Sequence, residues 1–476
     1  MAADKADTAG IAGAAGKPDH WSGRTGFLLA TIGSAVGIGS IWKFPYEAGA
    51  NGGGTFVLFY LVGLVLVVVP LMLAEFAIGR IGQADCASSL ARVAGMAGRS
   101  EGGLSGRRWA RVGMLGVLTG FLILSFYAVI GGWTLGYALE TLLQGLPGSE
   151  AAAVQQRYDR FLASPGRMLI FHAVFMGVTV AIVARGIAGG IEMASKVLMP
   201  LLFALMLGLA TYSMIEGDAM AALRFLFVPD PAYFTARTAL DALGLGFFSI
   251  GVGQGLMITY AAFAGPRVKL REIAFWSVLA DTGISLLAGM AVFPLVFAFK
   301  LDPASGPGLV FVTLPLAFAR MPFGTLAASA FFLLLFVAAL GSAISLLELV
   351  VALLRRRTGW SQAHASLVAG AACFVAGIAT VLSFNLWSGW HPLADQAWAG
   401  ALATGTFFDV LDYATSNLLL PLTGLGMVVF AGWVMPVAVL AQELDMGEVA
   451  AWRMLALLRW VAPLGIAGVV LASFFT

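Results

Sequence analysis

The feature that most constrains this chain is its succession of long apolar runs. They fall at about 25–48, 55–79, 110–143, 167–185, 190–215, 237–262, 271–300, 326–354, 362–385, 405–437 and 450–475. Each is long enough to cross a bilayer, which takes roughly 20 residues of helix. Inside hydrocarbon no water satisfies an exposed amide or carbonyl, so such runs span as helices. Composition agrees: of 476 residues, 60% are hydrophobic and 11% charged, against about 25% charged in a soluble domain. The chain reads as an all-α polytopic membrane protein.

Charge sets the expected orientation. The loop after the second run carries Arg80, Arg92, Arg99, Arg107, Arg108 and Arg111, against only Asp85 and Glu101. Arg267, Lys269 and Arg271 follow the sixth run, and Arg355-Arg356-Arg357 closes the eighth. Basic loops stay cytoplasmic, which predicts a protein of the cell inner (plasma) membrane with a cytoplasmic N-terminus and an external C-terminus. Residues 1–20 read as a polar, Ala/Gly-rich cytoplasmic tail without the apolar core of a signal peptide. Residues 144–166 read as a polar outer loop, and 301–325 as a Pro/Gly-rich outer segment with short helices. A net charge of +2 suggests no nucleic-acid partner. Cys86 and Cys373 fit neither a disulfide framework nor a metal cluster, and the four histidines lack ligand spacing. No nucleotide motif or nucleophile–base pair appears. The expectation is therefore no enzyme and no organic cofactor. The partners are the lipid bilayer and a small molecule, and no obligate protein partner is evident.

Two runs contradict their own helices. Gly33-Ser34-Ala35-Val36-Gly37-Ile38-Gly39-Ser40 places three glycines and two serines in eight residues. Glycine weakens a helix and serine competes for its hydrogen bonds. Gly244, Gly246, Gly251, Gly253 and Gly255 repeat the anomaly in the sixth run. Small residues also let helices pack closely. Recurrence at the start of each half favours the other reading, two inverted five-helix repeats (about 25–215 and 237–437), each opening with a discontinuous helix. A final helix at about 450–475 completes a single transporter domain spanning 21–476. In such architectures solute and ion bind at the midplane, where the breaks face each other. Freed amides suit an anionic group and freed carbonyls suit a cation.

Trp21-Ser22-Gly23-Arg24-Thr25-Gly26-Phe27, Gly33 through Tyr46, and Asn51-Gly52-Gly53-Gly54 resemble the first-helix signature of the neurotransmitter:sodium symporter family. Pro70-Leu71-Met72 with Glu75 and Gly79-Arg80, Gly132-Trp133-Thr134-Leu135-Gly136, and Ile258-Thr259-Tyr260-Ala261 extend the resemblance to nearly the whole chain. Eleven spans resemble the bacterial branch, with the leucine-transporter fold. The resemblance implies a symporter that imports an amino acid with sodium by alternating access. It implies a substrate site at Ala35, Gly37, Gly39, Phe248 and Ser249, with Tyr127 on the substrate carboxylate. It implies a side-chain pocket of Ile123, Phe248, Gly251, Gln254, Ser342 and Leu346. Gly37 stands where amine-selective relatives carry aspartate, which favours a substrate bringing its own carboxylate. Mostly apolar walls favour a neutral, apolar or aromatic amino acid, and Gln254 offers an amide to a polar tip. Taken singly, each apolar residue here reads equally as helix packing.

The resemblance also implies one or two sodium ions. The first site maps to Ala35, Ser40, Ser249 and Asp281, with Ser40 shorter than the family's usual asparagine. An acid inside a membrane is itself a functional signal. The second site maps to Gly33, Val36 and Ala338 through carbonyls and to Ser342 through its hydroxyl, with Gly341 where relatives carry an oxygen-bearing residue. Tyr60, Ser249 and Ser285 match the family's chloride site, but Leu245 replaces its glutamine and Asp281 brings a fixed charge, so chloride independence is expected. Lys43 and Asp412 map to the outer gate pair, and Trp21 to the inner plug. A charge-swapped inner gate is expected between Asp19 and Arg356 of the Arg355–Arg357 cluster, a cluster that positive-inside topology explains equally. Glu75 and Glu348 are expected in an inner polar network. Proton coupling through Asp281, weak sodium dependence, and a solute sensor that does not transport are the alternative readings.

Overall fold

The computed structural model describes residues 20–96, 104–301, 308–396 and 400–473. Among the described residues, nine helices are long and apolar enough to cross a membrane: Gly54–Gly82, Gly106–Gln144, Pro165–Val183, Ile187–Glu216, Leu270–Ala298, Gly324–Thr358, Gln362–Ser383, Phe407–Val434 and Glu448–Ala472. Another crossing is bent, with Arg24–Ala35 and Gly39–Ala50 meeting at 51°. The remaining one is split into Ala236–Ile250 and Leu256–Ala261. Numbered in chain order, these are spans 1 to 11, and each matches a predicted run to within a turn or two of helix. Span flanks expose Leu58, Val62, Val65, Ile170, Val174, Val197 and Leu207, an apolar surface suited to lipid. The protein is a multi-pass membrane protein.

Spans 1 and 6 are the broken ones, as expected, but their glycines do different work. In span 6, Gly251, Gly253 and Gly255 have φ of +71°, +89° and +87°, backbone that residues with a Cβ rarely adopt. In span 1 the helix stops at Ala35, and Val36 is extended at φ −81°, ψ 94°. The glycines of that break permit close approach instead. A Cβ on Gly37 would lie 2.5 Å from the Ser342 hydroxyl oxygen.

Spans 3 and 8 are the longest helices and pack along one another, with spans 4 and 9 laid against them. Spans 1, 2, 6 and 7 form a second group. The two pieces of span 6 lie on successive parts of span 2. A Cβ on Gly79 would meet the Ile258 carbonyl at 2.1 Å, so glycine sets how closely spans 2 and 6 approach. The residues expected to bind substrate lie where these two groups meet, and the acid expected in the first ion site, Asp281, lies inside the second group.

The connections hold one correction. Residues 144–166, expected as a polar loop, contain the helix Ala151–Leu162, which buries Val154 and Phe161 and half-buries Tyr158. Their spacing of four and then three residues is the helical stripe that the segment's polarity masked. The segment 301–325 does hold a short helix, Leu309–Phe318, with Phe311 and Phe318 buried. The N-terminal tail lies outside the described residues except for His20.

Candidate substrate and ion sites

A cavity of about 40 Å³ lies between the two breaks. Its wall contains Gly37, Gly39, Ile123, Tyr127, Phe248, Ser249, Gly251, Gln254, Ser342 and Leu346. Every predicted substrate residue except Ala35 is thus brought together, and Ala35 is buried in the last turn before the break. Ser34, Leu256 and Leu420 also line the cavity and were not anticipated. Ser34 was within reach of sequence reasoning, since it belongs to the anomalous stretch. Leu420 carries no sequence signal that separates it from lipid-facing leucines. The Tyr127 hydroxyl accepts a hydrogen bond from the Ile38 amide at 3.2 Å, so span 3 reaches directly into the break of span 1.

Beside this cavity Asp281 sits at the centre of a buried polar cluster. One carboxylate oxygen accepts from the Ser40 hydroxyl at 2.6 Å and from Ser249 at 3.0 Å. The other accepts from the Tyr60 hydroxyl at 2.9 Å. The hydroxyls of Ser40 and Ser249 are 2.8 Å apart, and Ser285 is buried nearby. Short as it is, Ser40 reaches the carboxylate without a bridging atom. A buried carboxylate surrounded by hydroxyls is a donor set of hard oxygens, which suits a small hard cation. Ser249 belongs both to this cluster and to the cavity wall.

The second predicted ion site lies where span 1 packs on span 8. Gly33, Val36 and Ala338 are buried there, and the Ser342 hydroxyl donates to the Ser34 carbonyl at 3.3 Å. Gly341 is more than a missing oxygen, because a Cβ there would fall 2.6 Å from the Gly33 carbonyl oxygen. This donor set consists of main-chain carbonyls and one hydroxyl, with no charge.

At the end opposite the basic loops, a cavity of about 210 Å³ is lined by Lys43, Glu47, Arg237, Asp241 and Asn417. Phe248 and Leu420 line both this cavity and the smaller one. The Lys43 ammonium lies 4.9 Å from the centre of the Phe248 ring, a cation–π distance. Lys43 and Asp412 are not brought together as an ion pair. Asp412 instead accepts from the Ser416 hydroxyl at 3.0 Å.

The basic end is closely tied. The Trp21 indole N–H donates to the Tyr260 carbonyl at 2.9 Å, and the Tyr260 hydroxyl lies 2.8 Å from that of Ser345. Ser22 donates its amide to Glu192 at 2.8 Å. Arg80 pairs with Glu443 and donates to the Val268 carbonyl at 2.6 Å. Asp19 lies outside the described residues. Arg356 faces Asp85 instead, at 3.7 Å. Glu348 accepts from the Gln362 side chain at 2.8 Å, and Gln362 accepts from Arg355 at 2.7 Å. Glu75 has a more specific place than a network member: its carboxylate accepts the Gly253 amide at 2.6 Å, inside the break of span 6. That amide has no helical partner in the unwound stretch, so the carboxylate fills a need the break itself creates.

Comparison with known proteins adds to this geometry. The family model for the sodium:neurotransmitter symporter family matches residues 18–164 and 158–389. An uncharacterised sodium-dependent transporter of Bacillus subtilis is 36% identical over 454 residues, covering 94% of this chain and 96% of the relative. An uncharacterised sodium-dependent transporter of Haemophilus influenzae is 31% identical over 420 residues, covering 87% of this chain and 89% of the relative. The crystal structure of MhsT in complex with L-phenylalanine superposes with a TM-score of 0.85 at 37% identity, covering 96% of this chain and all of that one.

Proposed function

Because the chain belongs to the sodium:neurotransmitter symporter family and is a sodium-coupled transporter rather than an enzyme, we propose that it imports a neutral, apolar or aromatic amino acid together with sodium, without chloride. The observation that carries this reading is Ser249, which lines the cavity between the breaks and hydrogen-bonds Asp281 in the buried cluster. A solute in the cavity and a cation at the carboxylate then share one residue, which couples their binding.

Tyr127 and the amides freed at Gly37–Gly39 receive the substrate carboxylate, and carbonyls of the breaks receive its ammonium. Apolar walls at Ile123, Phe248 and Leu346 take the side chain. MhsT, which has the same fold, was solved with L-phenylalanine, and this agrees with an amino-acid cargo. Sodium is a co-substrate here. Ala35, Ser40, Ser249 and Asp281 hold one ion, and the carbonyls of Gly33, Val36 and Ala338 with the Ser342 hydroxyl hold a second. The Asp281 carboxylate lies between Tyr60 and Ser249 and supplies the negative charge that an anion would otherwise bring. Spans 1, 2, 6 and 7 rock against spans 3, 4, 8 and 9, opening the cavity first past Phe248 and then past Trp21. The basic loops face the cytoplasm, in a plasma membrane.

Purified protein in liposomes tests this. Uptake of a radiolabelled neutral amino acid should require an inward sodium gradient, and replacing chloride with gluconate should leave it unaltered. Chloride-stimulated uptake would overturn chloride independence. Uptake driven by a proton gradient in potassium alone would transfer the coupling role of Asp281 from sodium to protons.

A further inference from the structure

Among the described residues that line the cavity, Gln254 is the one that brings a carboxamide. Gln254 is 5% exposed, and its Nε2 points at the Gly251 carbonyl oxygen, 3.5 Å away. That contact fixes which way the amide faces, because turning it over would set two oxygen acceptors against each other. The carboxamide oxygen is therefore the atom left over. It is buried and has no hydrogen-bond partner. It lies beside Gly120, where an added Cβ would be 3.9 Å from this oxygen and close to the methyl groups of Leu346 and Leu349. Leu346 itself lines the cavity. A buried acceptor without a donor is unfavourable, and a ligand that supplies the donor removes the penalty.

We propose that Gln254 selects the substrate side chain, and that the preferred substrates are neutral amino acids carrying a hydrogen-bond donor there: an indole N–H, a phenol or an alcohol. The inference rests on the reading of a neutral amino-acid cargo above and shifts its side chain toward hydrogen-bond donors. A site built to bond such a group rejects the shape-matched analogue lacking it, because the acceptor stays unpaired when that analogue binds. Purely apolar walls, by contrast, distinguish neutral side chains mainly by size.

The test compares matched pairs on the purified full-length protein in sodium buffer: tyrosine with phenylalanine, tryptophan with 3-(3-benzothienyl)alanine, and threonine with valine. Affinities come from isothermal titration or from competition against the best radiolabelled binder. In the wild-type protein the donor-bearing member of at least one pair should bind about tenfold tighter or more. In Gln254→Met, which keeps length and loses the oxygen, that ratio should fall to near one. No preference within any pair of the wild-type protein overturns the proposal, whether or not the variant folds. A preference that survives in Gln254→Met overturns it too. If none of the six compounds and none of the twenty common amino acids binds, the amino-acid reading falls as well. Binding without discrimination removes the role of Gln254 alone.

Discussion

The two ion sites proposed above sit on either side of the span 1 break and are built from opposite materials. Beside the expected Ala35, the first consists of side chains, the Asp281 carboxylate and the hydroxyls of Ser40 and Ser249, with the Tyr60 hydroxyl on the same carboxylate. The second is made largely of main chain, with one serine hydroxyl. A side-chain site has its chemistry written residue by residue, and it carries a full charge. A main-chain site depends on how closely two helices approach, so the residues that control it need not be ligands. Gly341 is the example: it offers the ion nothing and lets span 8 approach the Gly33 carbonyl.

If that contrast is right, substitutions at the two sites should differ in size and in kind. Asp281→Asn should have the largest effect, raising the half-saturating sodium concentration roughly a hundredfold, equivalent to about 2.7 kcal/mol. Uptake titrated with sodium measures this, and a near-normal titration would remove Asp281 from the ion site. Ser40→Ala deletes one hydrogen bond to a carboxylate, worth about 1.5–3 kcal/mol, and should raise the same concentration by tenfold or more. Gly341→Ala should act through packing. The added methyl must push span 8 from span 1, at about 1–3 kcal/mol. A lower melting temperature in detergent should accompany its weaker sodium response, whereas unaltered melting would show that the approach is not tight. Ser342→Ala should be mildest, about fivefold in sodium, since it loses one neutral hydrogen bond of about 1 kcal/mol. An effect larger than that of Asp281→Asn would invert the ranking of the sites.

The same contrast explains how much was legible in the sequence. Spans were readable because a bilayer demands an apolar run of fixed minimum length. The breaks were readable because glycine clusters have no place in a membrane helix without a reason. The Asp281 cluster was approachable because an acid in hydrocarbon calls for partners, and the family resemblance named them. What escaped depends on approach between distant elements. The pairing of Arg356 with Asp85 and the pairing of Arg80 with Glu443 connect residues hundreds of positions apart. Local pattern says nothing about either. The helix Ala151–Leu162 escaped for another reason: its polar face outweighs its apolar stripe of Val154, Tyr158 and Phe161.

The hydrogen bond from Gly253 to Glu75 bears on how motion in this protein would be watched. It fastens span 2 to the unwound middle of span 6, beside the close approach of Gly79 to Ile258. A pair of spectroscopic labels placed across spans 2 and 6 should therefore report one unchanging distance through the transport cycle. Labels across spans 2 and 8 should show two populations that exchange as sodium and solute are added. The carboxylate thus marks which pairs of helices serve as a ruler and which serve as a gauge.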